Sequence, residues 1–167
     1  MAEKKVNVPQ EINDYESLLR AVSTPSCLDN ESKATPLAFR LKPNETELSL
    51  SRLLFEDLYS FLKRSLHFTF RFLSFKDVPA GAVELKAGEV NALDEHIILK
   101  ASPSSRVPSH ASICFKNIDG SDYIVNRNTT EPVDPSILGY EMALASIVRN
   151  VYDDKGKIIW SSVPKSE

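Results

Sequence analysis

Arg40 and Arg52 stand on either side of Ser49 and Ser51 within the run Ala34–Leu54. Two guanidinium forks beside two hydroxyls are the parts from which a clamp for phosphate or carboxylate is made. The run lacks the glycines of a phosphate loop. The competing reading is therefore a solvated strand face or an internal salt bridge. His110 is the second candidate: it follows a loop held by Pro103 and Pro108, opens the apolar run Ala111–Phe115, and has Ser109 and Ser112 beside it. As a catalytic general base it would need a nucleophile and an orienting acid within hydrogen-bond reach, and neither is named by the local pattern. The alternative is a structural, hydrogen-bonded histidine. Arg40, Ser49, Ser51, Arg52 and Ser112 are thus the candidate ligand-binding residues, and His110 is the candidate catalytic one.

Other chemistry-bearing residues fall out of the pattern. His67 and His96 share no context with His110, and Cys27 and Cys114 have no ligand-spaced neighbour, so no metal site is expected. Cys114 lies inside an apolar run and reads as a buried thiol rather than a nucleophile. Asp119, Asp122, Asp153 and Asp154 lack the spacing of a calcium loop and read as surface turns. The alternation Phe68, Phe70, Phe72 could stack bases, but a core face suits it better in an acidic chain. No cofactor is expected.

The elements that must position these residues follow from periodicity. Ile12, Tyr15, Leu18, Leu19 and Val22 fall at helical spacing behind Asn13 and Asp14, predicting a short helix. Leu37, Phe39 and Leu41 alternate with polar or small residues, as do Leu48 and Leu50, predicting two strands around a turn at Lys42-Pro43-Asn44-Glu45. That hairpin would set Arg40 near Ser49 or Ser51. Leu54, Phe55, Leu58, Phe61 and Leu62 predict a helix opened by Ser51, with acids early and bases late. Residues 66–75 read as a strand or as that helix continued. Residues 83–90 read as a strand or a short helix. Strands are expected at 97–99, 110–115 and 123–125, with an Asp119-Gly120 turn between the last two. Asp134-Pro135 opens a helix running to about Tyr152, and Ile158-Ile159-Trp160 reads as an edge strand or as a segment packed on the surface.

The expected fold is a single α+β domain over 12–160, with a mainly antiparallel sheet of four to six strands, three helices, and flexible ends at 1–11 and 161–167. Its 167 residues suffice for one core, and 42% apolar against 26% charged residues is the balance of a folded soluble chain. A net charge of −3 without like-charge blocks advertises no extended nucleic-acid surface. No apolar run of roughly 18 residues is present. No membrane association and a cytoplasmic location are expected. Ala38–Arg52, Gly81–Val90 and Ser109–Ile113 resemble stretches of small bacterial proteins of no named family, a likeness that carries no residue role.

The first functional expectation is a bacterial cytoplasmic binding or regulatory module with a protein partner, an anionic small ligand being the other candidate. An alternative is a small enzyme on a phosphate-bearing or nucleotide-like substrate, in which Arg40, Arg52 and His110 converge on one cleft. A third is one half of a toxin–inhibitor pair.

Overall fold

A computed structural model describes residues 8–43, 45–68, 77–125 and 133–164, with the backbone alone for 66–68. The fold is α+β: among the described residues three helices pack on a single antiparallel sheet of seven strands, somewhat more than the four to six expected. In chain order these are β1 (Ser17–Thr24), a 3-10 turn (Pro36–Phe39), β2 (Leu48–Arg52), α1 (Leu58–Phe68), β3 (Val78–Lys86) and α2 (Ala87–Asn91). They continue as β4 (Ile97–Ala101), β5 (His110–Phe115), α3 (Pro135–Ser146), β6 (Asn150–Asp153) and β7 (Ile158–Ser161). Across the sheet the order is β4-β5-β2-β1-β3-β6-β7. Among the described residues no helix is long and apolar enough to cross a membrane.

The main core lies on one face. Leu18 and Val22 of β1, Leu48 and Leu50 of β2, Val83 and Leu85 of β3, and Ala111, Ile113 and Phe115 of β5 meet Phe39 of the 3-10 turn and Ile137 and Leu144 of α3. A smaller cluster on the other face joins Leu19 and Ala82 to Phe61 and Leu62 of α1. Both long helices start at an aspartate. Asp57 accepts from the backbone N–H and the hydroxyl of Ser60 at 2.9 and 2.7 Å. Asp134 accepts from Ser136 N at 2.8 Å, with Pro135 in the first turn.

Several expectations are corrected. The helix over 12–22 is the central strand β1. A strand covered on both faces buries Leu18, Leu19 and Val22 alike, and that mimics helical spacing. The strand over 36–41 is instead a 3-10 turn, started by Pro36 and held down by burial of Ala38 and Phe39 against α3. The expected hairpin therefore does not form, and β2 pairs with β1 and β5. Ser51 is the fourth residue of β2, and α1 starts at Leu58. Leu66–Phe68 end α1, while 69–76, on which the rest of the expected aromatic strand falls, lie outside the described residues. Residues 83–90 are strand up to Lys86 and helix from Ala87. The turn at Gly120 forms (φ +84°), but Tyr123–Val125 are not a strand; the returning chain makes the bridge Lys116–Asp122 and a bond from Tyr123 N to Phe115 O at 2.9 Å. The last helix stops at Ser146, because the chain turns into β6 beside β3.

Candidate functional site

The sheet carries a split at its centre. β1 and β2 pair only at Leu18–Arg52 and Leu19–Ser51. Beyond those two rungs β1 runs on with β3, and β2 runs on with β5. Arg20 fills the parting: its Nε donates to Ala38 O at 2.7 Å and its Nη1 to Ser49 O at 3.1 Å. A side chain thus satisfies a strand carbonyl that the ladder no longer reaches.

A cleft of about 390 Å³ opens there, lined by Arg20 of β1, Arg40 and Lys42 of the segment before β2, Ser49 of β2, Arg64 of α1 and His110 of β5. Glu45, Glu47 and Cys27 also reach its wall. Arg40 and Arg64 are each gripped along one edge, whereas Arg20 is held at Nε and Nη1 by two separate carbonyls. Arg40 donates through Nε and Nη2 to the buried carboxylate of Glu141 at 3.2 and 2.9 Å. Arg64 holds Glu56 through Nε and Nη2 at 2.9 and 2.7 Å. In all three, the remaining amino group has no hydrogen-bond partner among the described residues. Arg20 differs in having no carboxylate in contact at all among the described residues; its fork rests on neutral carbonyls. Burial pushes its pKa down from the ordinary guanidinium value, opposed by Cys27 and Glu45 nearby, and an anion in the cleft would relieve the same cost.

The carboxylates around the cleft are engaged by hydrogen bonds. Burial raises Glu56, but Arg64 and the hydroxyls of Ser51 and Ser109 outweigh it and hold its carboxyl below the usual range. Glu47 is likewise raised by burial, then lowered further by a hydrogen bond from Ser112 and by Lys100. Glu45 accepts from Lys42 N at 3.0 Å and fastens the turn that carries Lys42.

His110 is half-buried, and its Nδ1 lies 2.7 Å from Ser102 Oγ and 3.0 Å from Ser102 O. Ser102 Oγ lies 2.6 Å from Ser112 Oγ, which donates to Glu47 Oε1 at 2.9 Å. Nε2 of His110 has no partner among the described residues.

The residues singled out from sequence are divided by this geometry. Arg40, Ser49 and His110 line the one cleft. Ser112, fully buried, stands behind His110 in its hydrogen-bond chain. Ser51 is also fully buried and donates to Glu56 Oε2 at 2.5 Å. Arg52 lies elsewhere: fully buried, it forks onto Glu16 at 2.7 Å through Nε and Nη2, and also donates to Pro9 O and Glu11 O. It does not line the cleft. Two cleft residues escaped sequence reading. Arg20 was hidden by the helical reading of 12–22, which placed it on a solvated face. In strand period it is a charge on the same side as Leu18 and Val22, and that would have flagged it. Arg64 passed as an ordinary base at a helix C-terminus.

Comparison with known proteins returns no match: no family model, no curated protein and no solved structure aligns with the chain at a significant level.

Proposed function

We propose that this protein is a small-molecule-binding module whose central cleft takes an anion such as a phosphate or carboxylate group. The observation that carries the reading is the placement of Arg20, Arg40 and Arg64 around one cleft, each anchored by two hydrogen bonds with an amino group left over. Donors fixed in this way need little reordering on binding, so less of the interaction energy is lost to side-chain entropy. The cleft volume of about 390 Å³ lies within the range of ligand pockets and suits a small metabolite rather than a bare ion.

The test is a thermal-shift screen against phosphate, sulfate, phosphosugars, nucleotides and small dicarboxylates. A true ligand at about 100 times its dissociation constant stabilises the fold by roughly 2.7 kcal/mol. Arg64→Gln, which keeps a hydrogen-bond donor for Glu56, should weaken the response while the ligand-free protein stays folded. Silence across all anions refutes the reading.

One observation favours a second reading, an enzyme on a phosphate-bearing substrate: Arg40 and His110, distant in sequence, share the cleft. In that reading His110 is a general base at Nε2, its ring held by Ser102 at Nδ1. Turnover of any bound phosphate ester, abolished in His110→Gln, would distinguish it from simple binding.

A further inference from the structure

The chain running from His110 to Glu47 has a direction, and both of its ends set it. At one end Nδ1 of His110 lies 3.0 Å from the carbonyl of Ser102, which can only accept, so Nδ1 carries the proton. At the other end the Glu47 carboxylate, held ionised by Ser112 and Lys100, can only accept from Ser112 Oγ. Between them the Ser102 hydroxyl accepts from His110 and passes its own proton towards Ser112, 2.6 Å away. Neutral His110 is thereby fixed as the Nδ1–H tautomer, and Nε2 presents a lone pair. Protonation adds a donor at Nε2 and leaves every bond of the chain in place.

Resting on the anion reading above, we infer that the cleft is built for a phosphomonoester in particular, and that His110 Nε2 and a phosphoryl oxygen share one proton in the complex. A phosphomonoester can supply that proton or accept it, because its second pKa is about 6, close to the ordinary histidine value of about 6.5. Sulfate is a dianion throughout this range and can only accept.

The charges around His110 come from every element packed near it. β1 brings Arg20, the segment before β2 brings Arg40, Lys42, Glu45 and Glu47, and α1 brings Arg64 paired with Glu56. β4 brings Lys100, which pairs with Glu47, and β5 itself brings Cys114, whose thiol burial pushes up. Glu47 and Glu56 are held below the usual carboxylate range and stay charged across the pH range of the test. The linkage inferred here is the one between the His110 ring and the ligand.

Affinity for a phosphomonoester should follow the product of protonated His110 and dianionic phosphate. It should peak near pH 6 and fall about tenfold per pH unit well away on either side. Affinity for sulfate should rise as pH falls and then level off. The experiment is isothermal titration calorimetry with methyl phosphate and with sodium sulfate from pH 5 to 8.5, on the wild-type protein and on His110→Gln. It is accompanied by nitrogen-detected NMR of the His110 ring in the ligand-free wild-type protein. The expected result is a bell for methyl phosphate, a one-sided curve for sulfate, and Nε2 as the unprotonated nitrogen at high pH; in His110→Gln sulfate binding becomes independent of pH and methyl phosphate loses its high-pH fall, keeping only the low-pH limb set by its own second ionisation. Parallel curves for the two anions, or a proton on Nε2 in the neutral ring, overturn the inference while leaving the anion reading intact. Failure of both anions to bind overturns the anion reading and the inference with it.

Discussion

Replacing Arg52 with methionine separates a structural arginine from a ligand-binding one. Arg52 and Glu16 both have side chains wholly removed from solvent and are joined through two hydrogen bonds at 2.7 Å. The same guanidinium ties Pro9 O and Glu11 O and sits 4.6 Å above the ring of Phe55. Methionine keeps the apolar contact with Phe55 and leaves Glu16 a buried carboxylate without its cation. Breaking such a pair on one side costs about 3–5 kcal/mol. For a domain of this size that corresponds to a fall in Tm of roughly 6–20 °C. Urea denaturation and calorimetry of Arg52→Met are the assays, with Glu16→Gln and the double variant completing the cycle. The double variant should recover a large part of the loss, because a neutral pair no longer carries an uncompensated charge. Cleft binding should survive in whatever fraction folds, since Arg52 does not line the cleft. A loss below about 1 kcal/mol, or normal stability with anion binding abolished, would refute the structural assignment.

Three further outcomes are expected. Gly81→Ala should cost roughly 3 kcal/mol or more, because a Cβ there would lie 1.9 Å from Tyr152 O at a φ of +148°; a near-normal denaturation midpoint would contradict the β3–β6 register. Asp134→Ala should remove about 1 kcal/mol from the α3 cap, and Asp134→Ser should restore most of it, measured by the urea midpoint. Acid should weaken the fold in a defined window. Glu16 is held below its ordinary 4.5 chiefly by the hydrogen bond from Arg52. Glu84 is raised by burial but lowered further by Asn150, Tyr152 and Ser17. Because their folded values lie below the unfolded one, their contribution is complete above about pH 4.5 and is lost as pH falls through the folded values. As far as these groups are concerned, the urea midpoint should therefore be lower at pH 3 than at pH 5 and the same at pH 5 and pH 7.

Elements marked by local spacing and turn or capping residues were legible in the sequence, β5 among them although both its faces are buried, and those held by distant partners were not. The alternation in Leu48–Arg52 and the run Ile97–Leu99 marked β2 and β4, and Asp134-Pro135 marked the start of α3 through local capping chemistry. β1 was misread because its neighbours cover both faces, and α3 was drawn too long because the apolar residues Val148 and Val151 continue its spacing from outside it. In the cleft, His110 and Arg40 stood out by type and context. Arg20 did not, because its role depends on β1 and β2 parting, which no local spacing encodes. The burial of Arg52 was equally hidden: its partner Glu16 is 36 positions away.

The parting of β1 from β2 also bears on cooperativity. It divides the sheet into two rafts, β4-β5-β2 and β1-β3-β6-β7, each holding one antiparallel pair of chain neighbours, β4–β5 and β6–β7. Two rungs, the Arg20 bonds, the buried Arg52–Glu16 pair and the core shared beneath α3 tie the rafts together. Whatever bridges Arg20 on one raft and His110 on the other acts as an added rung. The sharpness of the unfolding transition, measured with and without an anion, would then report on the same seam.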